Sequence, residues 1–222
     1  MADITIKVLT PAASTDLLTL DEAKMWLGIN SADTSQDELL QLMITTYSEE
    51  IAERLNRHPT VTIGYEEVNE TWRDTQNGRL FLSHWPVKAA DILSVSIGSG
   101  ADPVLVDVGY ELEEASGKLS NISIGGAMSA SWNHPVVVHY WGGYNLPDET
   151  PKPLKHAVIM LIREEKIRMM QAQTAGIRQV SHKEARVSFF DPNAILLRSV
   201  GAKSPTLQAI ESILTHYMRF PV

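Results

Sequence analysis

The stretch Ser35–Arg57, SQDELLQLMITTYSEEIAERLNR, decides how the rest of the chain is read. Leu40, Ile44, Tyr47, Ile51 and Leu55 recur at spacings of four, three, four and four, one face of a 3.6-residue period, and Leu39 and Met43 widen that face. Ser35 and Glu38 have the S-x-x-E spacing of a capping box. Asp37 and Glu38 sit in the first turn and Arg54 and Arg57 in the last, as the helix dipole favours. Pro59 forbids continuation. A helix this long must cover its apolar stripe, and the sequence supplies partners on both sides.

Upstream, Met1–Leu18 reads as an extended arm in which ITIKV can add to a sheet. TLDEAKMWLGI then forms a short helix, with Thr19 and Glu22 as a second capping box and Gly28 as its stop. The polar turn Asn30–Thr34 lets it fold back on the long helix as a helical hairpin. Downstream, the period becomes two from Thr60 to Tyr144. VTIGYEEV, RLFLS after the Asn77-Gly78 turn, ILSVSI, the alternation Val104–Leu112, LSNISI and PVVVHYW read as short strands of a small sandwich or barrel. Trp72, Trp85, Trp132 and Trp141 fall here and are assigned to its core and rim.

The helical period returns at Pro151. AVIMLI, residues 157–162, is apolar all round and belongs between two surfaces, so this helix pairs with the long one. Closing a loop as long as the strand region costs about 4 kcal/mol, which a core of its own can offset. Gln171–Lys203 reads as a basic surface loop in which only ARVSFF is strand-like; Ser204 and Pro205 open a last helix striped by Leu207, Ile210, Leu214 and Tyr217. The expected fold is α+β: a helical bundle core of four main helices with a β-rich insertion between the second and third. Its units are 1–59 (arm and first two helices), 60–150 (the inserted β-rich domain) and 151–222 (third core helix, basic loop and C-terminal helix). Leu40, Ile44, Ile51, Val158 and Leu161 are expected to be buried.

Composition narrows the function. The 222 residues are 44% hydrophobic and contain no cysteine, which excludes disulfides and thiolate chemistry. The first residues carry no signal-peptide pattern, and the longest apolar run is far too short for a bilayer, so a soluble chain without a membrane partner is expected. Residues 1–150 hold 8 Lys+Arg against 22 Asp+Glu, a net −14; residues 151–222 hold 11 against 5, a net +6; together they make the −8 of the chain. Two readings stand: the charges cancel within one subunit, or they meet head-to-tail between copies.

No phosphate loop, dinucleotide fingerprint, nucleophile elbow or H-E-x-x-H motif occurs, and no cofactor or metal is expected. His134 and His139 are the nearest approach to a constellation, without a third ligand close in sequence. TLDEAKMWLGI looks like the opening of a helix-turn-helix, but SADTSQDELLQL follows with three acids and no Lys or Arg, which argues against sequence-specific DNA binding.

The order of these pieces is itself informative: TLDEAKMWLGI, a long helix ending ERLNR, strands with RLFLSHWPV and ILSVSI, then VVVHYWGGY, PKPLKHAVIMLI and a closing ILTHYMR. Together they resemble the head–tail connector (adaptor) proteins of tailed double-stranded DNA phages and prophages, over nearly the whole chain. The resemblance implies a structural virion protein and no enzyme. It implies a homo-oligomeric ring, usually of twelve subunits, docked under the portal protein in the neck and assembled in the host cytoplasm. Such a ring extends the channel through which genomic DNA passes without tight binding, and gives stopper or tail proteins a platform. The C-terminal part of family members tends to engage the portal, which points to Tyr217, Met218, Arg219 and Phe220. The opposite-signed halves suggest Glu49, Glu50 and Glu53 against Arg163, Lys166 and Arg168 as the ring contact. The alternatives are another neck component, a stopper or tail-completion protein, and a small hydrolase using His134 or His139.

Overall fold

The computed structural model describes residues 4–12, 14–69, 78–98, 104–105, 109–122, 132, 135–173, 179–182, 185–188 and 205–218. Helix α1 spans Leu20–Leu27, α2 Asp37–Leu55, α3 Lys152–Gln173 and α4 Pro205–Thr215. Strand β1 is Ile4–Thr10; β2 to β8 are Gly64–Asn69, Arg79–Phe81, Ile92–Ile97, Val104–Leu105, Tyr110–Glu113, Lys118–Asn121 and Val136–Trp141; β9 and β10 are Gln179–His182 and Ala185–Ser188. The fold is α+β, with seven of these strands lying between α2 and α3.

The four helices share one core. Leu40, Ile44, Ile51 and Leu55 of α2 meet Leu154, Val158, Leu161 and Ile162 of α3, with Ala23 of α1 and Ile210 and Leu214 of α4; all are buried. The five positions expected to be inside are inside. The capping box of α1 is also present: the Glu22 N–H donates to Thr19 Oγ1 at 3.2 Å and the Thr19 N–H to Glu22 Oε2 at 3.2 Å. Gly28, at φ 71°, ends that helix in the left-handed region.

Glu22 also ties α1 to α3, its carboxylate lying 2.6 Å from Lys155 Nζ. Desolvation alone raises its pKa, but the Lys155 ammonium and the bonds to Thr19 outweigh that and hold it below its ordinary 4.5. A depressed carboxylate stabilises the fold above its unfolded pKa and loses that contribution as the pH falls through the folded one. Glu22→Gln is therefore expected to lower stability at neutral pH and to flatten the acid limb between about pH 5 and pH 3. Denaturant midpoints measured across that range check this; an acid limb as steep as that of the parent would contradict it.

Several local expectations are corrected. Ser35 does not cap α2: its hydroxyl and N–H serve the Asp33 carboxylate, the N–H at 2.9 Å, and α2 starts at Asp37 with Gln36 as an N-cap that makes no side-chain bond. Asp37 is held instead by Lys24, whose ammonium is 2.6 Å away and buried beneath the turn. The helix stops at Leu55 because Asn56 turns left-handed at φ 55°, which leaves Arg57 outside it. Leu39 is exposed and does not widen the core face.

The strands form a five-stranded antiparallel sheet in the order β1-β2-β8-β4-β5 and a three-stranded one in the order β3-β7-β6. The arm joins the first of these as an edge strand, Ile4 opposite Asn69 and Val8 opposite Tyr65. Tyr65, Val95, Val136, Val138 and Tyr140 from one sheet and Leu80 and Leu119 from the other enclose a second core with Trp132, whose indole N–H donates to the Gly78 carbonyl at 3.0 Å. The alternation Val104–Leu112 is not one strand. β5 pairs with β4, β6 pairs with β7 in the other sheet, and Gly109 between them has φ 146°. The stretch expected as a loop contains a hairpin, β9 on β10, so ARVS is a strand with a partner. Asn77, Trp72, His134 and Ser204 lie outside the described residues.

Candidate functional site

Three backbone segments cross where the β-rich region leaves and rejoins the helices: Pro59–Val61, His84–Pro86 and Gly142–Tyr144. The Tyr144 N–H donates to the Pro59 carbonyl at 2.7 Å, the Val61 N–H to Tyr144 at 2.8 Å and the Gly143 N–H to Pro86 at 2.8 Å. Arg57, 4% exposed, fills the centre. Its Nε donates to the Tyr217 carbonyl at 3.0 Å, its Nη1 donates to the Trp85 carbonyl, and its guanidinium carbon lies 3.9 Å above the Trp85 ring. Burial pushes its pKa down to about 10, with Tyr144 and Tyr65 opposing the shift, so it stays charged at neutral pH. One side chain thus joins the end of α2, the β-rich region and the C-terminal segment.

The expected portal contacts begin here. Tyr217 and Met218 are half-buried against the helical core, and their N–H groups bond to Leu214. Arg219 and Phe220 lie outside the described residues. A groove of about 280 Å³ lined by Pro153, Ser212, Ile213, His216 and Tyr217 opens beside the segment.

The expected ring contacts are dispersed. Glu49 accepts a hydrogen bond from Thr15, Glu50 pairs with Arg54 at 2.6 Å, and Glu53 is exposed. Arg163 donates to the Trp26 carbonyl at 2.6 Å, Lys166 to Gln36 at 2.8 Å, and Arg168 pairs with Glu165 at 3.0 Å. Much of this charge is thus engaged within the subunit.

The polar groups of the β core do not form an accessible site. Glu67 is fully buried and accepts from the Tyr140 hydroxyl at 2.7 Å and the Ser83 N–H at 2.9 Å; His84, also buried, stacks on Tyr65 at 3.7 Å. Burial and the neighbouring Glu67 push the Tyr140 hydroxyl pKa up. His139 instead faces outward and pairs across strands with Glu66 at 2.9 Å. Among the described residues no three His, Asp or Glu side chains are grouped to hold a metal, and no helix is long and apolar enough to cross a membrane.

These features define a protein built around contacts. Residues 17–78, the helical hairpin and the start of the β-rich region, match the family described as phage gp6-like head-tail connector protein. Over these residues the chain is similar to that family of structural connectors, and the resemblance read from its sequence stands. The whole fold is similar to chains in three solved structures, each likeness covering 98% of this chain and 97% of the other. They are described as the neck of an empty GTA particle computed with C6 symmetry (TM-score 0.55, 14% identity), the virion of a native gene transfer agent particle (0.57, 16%) and the neck of a native GTA particle computed with C12 symmetry (0.52, 15%). At those identities the likeness is one of fold. No curated protein matches the chain.

Proposed function

We propose that the chain forms a closed ring in the neck of a phage-like virion, docked beneath the portal, extending the DNA channel and offering the tail or stopper proteins a platform. The observation that carries this is the connector-family match on the hairpin, joined to a fold that follows GTA particle chains from end to end, two of them in necks computed with C12 and C6 symmetry. Twelve copies are the number this reading takes, with the isolated protein monomeric until the portal templates it and assembly taking place in the host cytoplasm. In this account 1–59 and 151–222 build the ring wall and 60–150 is the inserted domain that faces the tail or the outside. DNA passes without being gripped, consistent with the acidic net charge.

The C-terminus is the proposed portal anchor. Arg57 and the helical core fix Tyr217 and Met218, and Tyr217 lines an apolar groove. Truncation after Met218 removes Arg219–Val222 and leaves every described contact of α4 in place. The expected result is an almost unchanged melting temperature and loss of joining to DNA-filled heads. Intact joining, or a marked fall in stability, would rule the anchor out.

A further inference from the structure

Two stripes, exposed except at the half-buried Glu49, lie on opposite sides of the helical unit. On α2, Leu42, Thr46, Glu49 and Glu53 follow one another at spacings of four, three and four, on the side away from Leu40, Ile44 and Ile51. On α3, His156, Arg163, Ile167 and Met170 occupy the side away from Leu154, Val158 and Leu161. Trp26 of α1 extends that second stripe: its ring lies 5.8 Å from the His156 ring and its carbonyl takes the Arg163 bond. The core faces of α2 and α3 meet each other in the shared core, so the two outer stripes point in opposite directions.

The stripes are also complementary. Leu42 is 65% exposed and is followed by two carboxylates; Ile167 is 52%, Met170 61% and Trp26 44% exposed, interleaved with an arginine and a histidine. Aromatic residues, Met and Arg are the side chains enriched in interfaces, and charge of opposite sign sets orientation. A surface on one side that fits a different surface on the other side is the requirement for head-to-tail assembly, which closes into a ring when the rotation between copies allows.

We propose that the Leu42–Glu53 stripe of α2 in one copy seats on the Trp26–Arg163–Ile167–Met170 stripe of the next, an inference that rests on the ring reading above. Leu42 is the apolar knob, and Ile167, Met170 and the Trp26 ring are its seat. Glu53 then lies towards Arg163 and His156, while Glu49 and Arg163 keep their bonds to Thr15 and the Trp26 carbonyl. Glu50, Lys166 and Arg168, also paired within the subunit, border the contact.

The chain has no cysteine, so paired thiols report the contact cleanly. Particles are assembled with Leu42→Cys alone, Ile167→Cys alone, an equal mixture of the two, and the double variant. Their necks are imaged for rings and then oxidised under mild conditions. The mixture is expected to give cross-linked dimers, the double variant a ladder reaching the full ring, and each single variant no cross-link. Rings without a cross-link in the double variant would overturn this surface while leaving the ring reading intact. A cross-link in either single variant means that a face meets itself, and a cross-link to the portal means that the face is not between copies; both overturn the proposal. Necks of the parent protein without any ring would overturn the ring reading and this contact with it. Should the double variant alone fail to assemble, the neighbouring pair Thr46→Cys with Met170→Cys gives the same reading.

Discussion

Gly142→Ala and Gly143→Ala are each expected to destabilise the chain by about 4 kcal/mol or more, enough to leave little folded protein. A Cβ on Gly142 would stand 2.2 Å from the His84 carbonyl oxygen, and one on Gly143 2.6 Å from the Pro59 oxygen. Both obstacles are backbone, so no rotamer change relieves them. Gly143 also has φ 131°, a conformation that side chains disfavour. The shift cannot be local, because Gly143 and Tyr144 bond to Pro86 and Pro59. Denaturant unfolding of the purified variants, or their recovery as insoluble protein, checks this. A cooperative transition within about 1 kcal/mol of the parent would show that the crossing is looser than described.

Arg57→Ala is expected to cost about 3 kcal/mol, because it leaves the part-buried Trp85 and Tyr217 carbonyls without their donor and removes the cation over the Trp85 ring. Arg57→Lys keeps the charge but cannot span both carbonyls with a planar fork, so it is expected to recover only part of the loss. Amide hydrogen exchange should locate the effect in α4 and at Trp85, where the bonds are broken. A loss below about 1 kcal/mol, or one confined to α2, would contradict the role given to this side chain.

These three positions also show where the sequence is opaque. The capping box at Thr19 and Glu22, the stop at Gly28 and the stripe from Leu40 to Leu55 depend on neighbours within one or two turns, and they are legible directly. Arg57 depends on Trp85 and Tyr217, far along the chain in both cases, and without them it looks like an ordinary basic residue at a helix end. Ser35 has the spacing of a cap, but Asp33 competes for it, a contest that spacing alone does not decide. The unbroken alternation Val104–Leu112 describes two strands equally well as one, since the inside-outside period survives a change of sheet. Charge was legible as a total and not as a surface: Glu50, Lys166 and Arg168 find partners in their own subunit, while the exposed apolar residues between the charges carry the contact proposed here. The glycines of VVVHYWGGY are visible in the sequence, but their reason, the close approach of three backbone segments, exists only in three dimensions.

On the proposed reading the chain is one subunit of a ring in a virion neck. The most direct test is to image neck complexes isolated from particles that carry a label on this chain, and to count the labels around the channel axis. The expected image is a closed ring, twelve labels at one level directly beneath the portal. Necks holding only one or two copies, or labels scattered along the tail, would contradict it.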